Sequence, residues 1–301
     1  MQCRVENLNN LPYNIADIVT VKELNSYRIS ANVSAHVNMS SCTCSGRRNI
    51  MKYDTLQTLI KTSRFLVCLE GIHVSVDCGC MNYRGEENVY DIEEKYTCSP
   101  EEIFNATFFN TRPKQFYTFF RNEMLSSLGT PDSCINVLKK MESDGLLKCI
   151  ITRELYSLAK RAGCQNVIEL HGNVYEYHCP RCGKAYTIQD ILATEDVPLC
   201  RDCQMVIRPG VALVGESLSN HKLSQAADLI SHADTLLILG CNMKSILPEM
   251  SLQFFGGENI ILINEIPHYA DCLATHVYHA KPKDLLPQAY PLSPDPSQTS
   301  A

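Results

Sequence analysis

Four cysteines and one histidine carry the clearest chemistry in this sequence. Cys179-Pro-Arg-Cys182 and Cys200-Arg-Asp-Cys203 are two C-x2-C pairs separated by 17 residues. Each pair makes a turn that aims two sulfurs at one ion, and two such turns complete a tetrahedral thiolate shell with bonds of about 2.3 Å. Four thiolates leave no open position for water or substrate, so the spacing predicts one structural zinc. Between Tyr175 and Arg208 the basic residues Arg181, Lys184, Arg201 and Arg208 are matched by Glu176, Asp190, Glu195, Asp196 and Asp202. A zinc ribbon of that balance offers no basic stripe to a nucleic acid. His171 stands eight residues before the first of these cysteines, just after the apolar run Asn166-Val-Ile-Glu-Leu170. That is the carboxyl end of a strand, where open α/β sheets bind ligands. An imidazole titrates close to neutral pH and can accept a proton from a hydroxyl; a lone histidine there can equally be structural.

The elements that must position these groups are legible as short apolar strands alternating with helical patterns. The strands are Arg64–Leu69, Cys149–Thr152, Asn166–Leu170, Val211–Val214, Thr235–Leu239 and Asn259–Ile263. Each is apolar along most or all of its length, as strands covered on both faces are. Helical patterns near 153–162, 222–231 and 245–254 lie between several of them. The alternation predicts α/β architecture: a Rossmann-like, doubly wound parallel sheet with a small zinc ribbon (175–207) inserted. Residues 88–127 read as a helical module, with Ser99-Pro-Glu-Glu as a helix start and Phe108, Phe109, Phe116, Tyr117, Phe119 and Phe120 as core. A further helix spans Ile135–Met141. Residues 1–50 read as an N-terminal extension, 51–287 as the folded domain, and the Pro-rich 288–301 as a disordered tail.

Composition narrows the class. The chain has 301 residues, 16 of them cysteine, and 27 Lys+Arg against 33 Asp+Glu give a net charge of −6. A hydrophobic fraction of 45% excludes wholesale disorder, and no apolar run reaches 18 residues, so no membrane partner is expected. The acidic balance argues against broad nucleic-acid binding. The amino terminus lacks the basic-then-apolar run of a secretory signal, so a reducing, cytoplasmic location with mostly free thiols is expected.

From Val167-Ile-Glu-Leu-His171-Gly172 onward the chain resembles the sirtuins, the NAD-dependent protein deacylases. The match continues through both C-x2-C pairs, Ile207-Arg-Pro-Gly-Val-Ala-Leu-Val-Gly-Glu216, Ala233-Asp234 with the strand to Gly240, and Leu262-Ile-Asn264; upstream it takes in Gly71–Gly85. It covers roughly 51–287. The resemblance implies an NAD cleft between a Rossmann-like domain and a small zinc domain, and an acyl-lysine protein or peptide as substrate. It implies that the acyl oxygen attacks the nicotinamide ribose, nicotinamide leaves, and His171 acts as general base on a ribose hydroxyl. The products would be a free lysine and an O-acyl-ADP-ribose.

The same resemblance assigns NAD contacts to Gly71, Ser75, Tyr83, Arg84, Thr152, Arg153, Glu154, Gly240, Cys241, Asn242, Asn264 and Glu265, and acyl-lysine contacts to Ala212, Val214 and Gly215. Several of these depart from the family pattern. His73 stands where a glycine lets backbone approach phosphate. Met81-Asn82-Tyr83-Arg84 keeps the aromatic and the arginine of its motif and loses the acid. Thr152-Arg153-Glu154-Leu155-Tyr156 loses an Asn and an Asp that hold the nicotinamide end. Glu154 adds negative charge beside a dinucleotide, which Arg153 would offset. Gly240-Cys241-Asn242 replaces Gly-Thr-Ser, and Val214 replaces an aromatic wall of the acyl tunnel, hinting at an acyl group other than acetyl. Cys78, Cys80 and Cys241 fall at the implied cleft and are candidates for exposed, reactive thiols. Protein ADP-ribosyl transfer, NAD hydrolysis, or a non-catalytic NAD- or ADP-ribose-binding module fit the same residues.

Overall fold

The computed structural model describes residues 53–292; the expected N-terminal extension and residues 293–301 of the expected tail lie outside that range. A six-stranded, all-parallel sheet forms the centre. Its strands are β1 (Leu66–Glu70), β2 (Leu147–Thr152), β3 (Val167–Glu169), β7 (Thr235–Leu239), β8 (Asn259–Ile263) and β9 (His276–Tyr278). The order β3-β2-β1-β7-β8-β9 places the change of direction between β1 and β7. Counted within this sheet alone, that is the 3-2-1-4-5-6 order of dinucleotide folds.

Strand periodicity explains how one apolar run serves two cores. Leu66 and Cys68 of β1 pack with Leu237 and Leu239 of β7 and Ile261 and Ile263 of β8 on one face. Val67 and Leu69 join Leu236, Ile238 and Leu262 on the other. Successive side chains alternate across the pleat, so a strand covered on both faces must be apolar at every position.

A second sheet is antiparallel, in the order β5 (Ala185–Thr187), β4 (Gly172–His178), β6 (Arg208–Val211). This corrects one expected strand. Val211–Val214 does not enter the parallel sheet; the strand ends at Val211 and belongs to the zinc ribbon. A fully apolar run of four residues does not distinguish the two settings. The ribbon's strands also reach beyond the expected 175–207, from Gly172 to Val211.

The helical module starts at Glu86 and ends at Met124 in five short segments. Ser99 caps Pro100–Ile103 by accepting from the Glu102 amide at 3.2 Å, and all six expected aromatics are buried. Two elements differ from expectation. The helix expected over 153–162 covers only Leu158–Ala162, because Ser157 adopts a left-handed conformation (φ 50°) that ends the preceding segment. The stretch from 288, expected to be tail, begins inside a helix, Pro282–Ala289, and Ala289 and Tyr290 are buried. Its prolines sit at the first turn and at Pro287, where a short helix tolerates them; composition alone hides its apolar face.

Candidate active site and metal centre

The metal centre is built from two matching turns. In each, the amide after the second cysteine donates to the carbonyl of the first: Gly183 to Cys179 and Gln204 to Cys200, both at 2.9 Å. Gly183 (φ 72°) and Gln204 (φ 57°) close these turns in left-handed geometry. The Sγ atoms lie 3.3 Å apart for Cys179–Cys203, 3.6 Å for Cys182–Cys200 and 3.9 Å for Cys182–Cys203, and all four lie within 4.8 Å of one another. A tetrahedron with Zn–S bonds of about 2.3 Å has edges of about 3.8 Å, whereas a disulfide needs about 2.05 Å. The four residues therefore fit zinc. The Tyr186 hydroxyl donates to Cys200 Sγ at 3.2 Å and lowers that thiol to about 6, favouring the thiolate that a metal needs.

The ribbon and the helical module share one core. Arg121 donates to the carbonyls of Ile191 (3.1 Å), Glu195 (3.1 Å) and Asp196 (2.6 Å), and the buried Tyr117 hydroxyl donates to the carbonyl of Ile207.

At the switch point, two glycine turns touch. The Gly71 amide donates to Leu239 O and the His73 amide to Gly240 O, each at 2.9 Å. A Cβ at Gly71 would lie 2.5 Å from Cys241 Cβ, and one at Gly240 (φ 63°) 2.7 Å from the Val74 nitrogen. Such backbone-on-backbone contact at the ends of β1 and β7 is the form of a dinucleotide crevice. Ser75, fully buried, keeps an unpartnered Oγ beneath it. Two close backbone turns joined by main-chain hydrogen bonds, with an orphaned buried hydroxyl four residues on from Gly71, fit a dinucleotide.

Side chains expected to touch that ligand are placed unevenly. Asn264 is buried; its Oδ1 lies 3.0 Å from His73 Nδ1 and its Nδ2 donates to Ile266 O at 2.8 Å. His73 thus replaces a small residue with one that engages the expected asparagine. Asn242 Oδ1 accepts from the Lys244 amide at 2.9 Å, and exposed Glu265 lies 3.6 Å from Lys281. Tyr83 packs on Phe104 with centroids 5.1 Å apart, and Arg84 lies over the Tyr83 ring at 5.2 Å. The thiols expected to be reactive are not exposed. Cys78, Cys80 and Cys241 are buried, and burial raises each to about 12, so the reactive thiolate is disfavoured.

Along the carboxyl edge, Glu169, Thr152 and Glu70 stand side by side as the last residues of β3, β2 and β1. Thr152 Oγ1 accepts from the Glu154 amide at 3.0 Å. Glu169 is satisfied by Lys160 at 2.7 Å, Asn173 at 2.9 Å and the Ser157 hydroxyl. Glu70 is not: it is 2% exposed, its Oε2 has no partner, and burial, with the charges of Glu154 and Glu169, raises it to about 8. Burial likewise raises Glu154 to about 7, against the opposing pull of Arg153 and Arg84. Glu154 therefore carries only part of its charge near neutral pH. Sequence reasoning singled out Glu154 and missed Glu70 and Glu169; their signal is a carboxylate closing an otherwise apolar strand.

His171 sits where this edge meets the ribbon. Its carbonyl accepts from the Ala212 amide at 2.8 Å, and Gly172 behind it (φ 74°) lies so close to Gly210 that a Cβ would come within 1.9 Å of that carbonyl oxygen. Val214 exchanges two main-chain bonds with the module: its amide donates to Phe104 O at 3.0 Å and its carbonyl accepts from Ala106 at 3.1 Å. Glu216 accepts from the Leu213 amide at 2.8 Å and pairs with Arg208, and Gly215 (φ 90°) makes the exposed turn between them. The structure therefore gathers His171, Thr152, Arg153, Glu154 and the 212–215 segment beside the glycine turns.

Comparison with known proteins agrees with this architecture. The sequence model of the Sir2 family matches residues 71–246. An NAD-dependent protein deacetylase of Thermotoga maritima is 35% identical over 237 residues, 76% of this chain and 93% of that protein. Another, from Staphylococcus aureus strain COL, is 31% identical and covers 76% and 95%. Among solved structures, Sir2 with a p53 peptide and NAD+ superposes with a TM-score of 0.67 at 32% identity, covering 78% of this chain and 96% of that one. Sir2Tm bound to a propionylated peptide gives 0.64 at 30% identity over 78% and 96%. Sheet order, thiolate cluster and glycine crevice converge with these likenesses: the chain belongs to the Sir2 family.

Proposed function

We propose that this protein is an NAD-dependent protein lysine deacylase. The observation that carries the reading is His171, held by Gly172 and Ala212 between the glycine turns of the parallel sheet and the 212–215 segment of the ribbon. NAD, when bound, supplies the ADP-ribosyl group that accepts the acyl oxygen as nicotinamide is lost. Gly71, Gly240 and Ser75 would hold its phosphate-bearing part, Thr152 and Glu154 border its nicotinamide end, and Arg153 would face the ribose and diphosphate between them. His171 takes the proton of a ribose hydroxyl at its ring nitrogen. Burial and the charges of Arg153 and Arg84 hold it far below its ordinary range, at about 3, so the unprotonated form is present throughout the physiological range. The 212–215 segment pairs with the module at Val214 and would seat the extended acyl-lysine peptide. A reducing, cytoplasmic setting belongs to the same reading, since the zinc ligands must remain thiolates.

The test is nicotinamide release with NAD and a panel of acetyl-, propionyl- and longer acyl-lysine peptides, following the peptide mass in parallel. Deacylation with a 10²-fold or greater loss in His171→Ala, zinc content unchanged, is expected from removing a general base of typical worth, about 10²–10⁴-fold. Label from NAD appearing on protein, with every acyl-peptide intact, would replace this reading with ADP-ribosyl transfer. Binding of ADP-ribose without nicotinamide release would replace it with a non-catalytic module.

A further inference from the structure

Arg153 Nε lies 3.3 Å from His171 Nε2. The guanidinium can only donate, so Nε2 accepts and the ring proton sits on Nδ1. Among the described residues no carboxylate forms an ion pair with Arg153, although it has five N–H donors. Glu154 and Tyr83 act on it through charge alone, and Arg84 repels it. A half-buried arginine without an anion rests on the lone pair of the histidine.

That contact is incompatible with base catalysis at Nε2, because one lone pair cannot both accept from Arg153 and receive a substrate proton. A base works best with a proton affinity near the working pH, and a buried ring with one guanidinium against it and the charge of a second acting on it is much weaker than that. We propose that Arg153 is a positioning residue that latches the free protein: it caps His171 Nε2, fixes the Nδ1–H tautomer, and moves off when an anionic group of the dinucleotide enters and takes its donors. The diphosphate would satisfy the guanidinium better than a neutral imidazole does. Release would then restore the proton affinity of His171 only when cosubstrate is present. The other groups bearing on this pair are Arg84, which acts on both members, and Glu154, whose partial charge steadies Arg153.

The latch rests on His171 being the base, but its test needs no turnover. Protein labelled with ¹⁵N-histidine is followed by long-range ¹H–¹⁵N NMR from pH 5 to 8, with His171→Ala identifying the signal and zinc content verifying the fold. The free protein should show the Nδ1–H tautomer and no titration in that window. Arg153→Gln should bring a midpoint up into it, at least about two pH units above the starting value of about 3, and Arg153→Lys should fall between. Saturating ADP-ribose should move the unaltered protein in the same direction as Arg153→Gln. An Nε2–H tautomer in the free protein, a midpoint near 6.5, no response to Arg153→Gln, or a bound state still capped would each overturn the latch. Loss of deacylation with a working latch would instead overturn the base.

Discussion

β4 runs from Gly172, next to His171, to His178, next to the thiolate Cys179, and the crevice and the zinc cluster treat side chains in opposite ways. In the ribbon, four thiols of one kind converge within 4.8 Å, and each second cysteine is followed by a residue closing the same turn. In the crevice, contact is made by main chain, at Gly71, His73 and Gly240, while the side chains around it are a mixture of Glu70, Glu154, Arg153 and His73. A metal shell specifies residue type, because only a few donors, chiefly thiolate, imidazole and carboxylate, bind the ion. A backbone cradle specifies only where side chains must be absent, so its surroundings can drift. One region is held by what is present and the other by what is missing.

The sharpest way to break that contrast is to remove the ion. A strong chelator, or Cys182→Ser, should release zinc and lower the melting temperature by more than about 10 °C, since structural zinc contributes on the order of 10 kcal/mol. An unchanged melt with no bound metal would mean that the ribbon folds on packing alone.

A smaller effect tests the other region. The Glu70 carboxyl has an ordinary value of 4.5 and is raised to about 8 in the folded protein. Below pH 4.5 it is protonated in both folded and unfolded chains and costs nothing. As pH climbs toward 8, the unfolded chain releases the proton and the folded chain keeps it. Stability then falls by about 1.4 kcal/mol per pH unit, roughly 3 kcal/mol by pH 7. Glu70→Gln should therefore raise the melting temperature at pH 8 and leave it nearly unchanged at pH 5. A gain equal at both values would show that charge is not what burdens this edge.

The smallest test asks whether the two knuckles are as alike as they look. Gln204 holds the geometry that Gly183 adopts freely. Left-handed backbone costs an ordinary residue about 1–2 kcal/mol, and glycine loses about 0.4–1 kcal/mol through the unfolded chain. Gln204→Gly should thus stabilise by about 0.5 kcal/mol, a rise of one or two degrees. A drop would mean that the Gln204 side chain does something the turn geometry does not show.

This difference also decides what could be read from the sequence. Spacing alone announced Cys179, Cys182, Cys200 and Cys203, and β7 and β8 were legible to the residue because unbroken apolar runs leave little choice. Val211 deceived, since a run of four apolar residues suits either sheet. The helix Pro282–Ala289 was masked by its prolines, though Leu285, Leu286 and Ala289 bury one face. At the crevice, resemblance points to His171 and Thr152, yet it could not foresee that Arg153 would lean on His171 or that His73 would hold Asn264. Those contacts depend on side-chain direction across elements distant in sequence, which no local pattern encodes. The thiols of Cys78, Cys80 and Cys241 were misjudged for the same reason: adjacency to a cleft says nothing about which way a small side chain turns.

The outer strands of the parallel sheet, β3 and β9, have three residues each, where the inner four have five or six. An exposed strand edge is a template for another chain, and its hazard grows with length. Three residues offer an incoming strand only a few hydrogen bonds. Along β3 the neighbouring surface cavity is lined by Lys148, Lys160 and Lys222, charges that a docking strand would have to desolvate. A sheet this apolar could extend from molecule to molecule at high concentration; its truncated margins, one of them guarded by lysines, give it a built-in limit to growth.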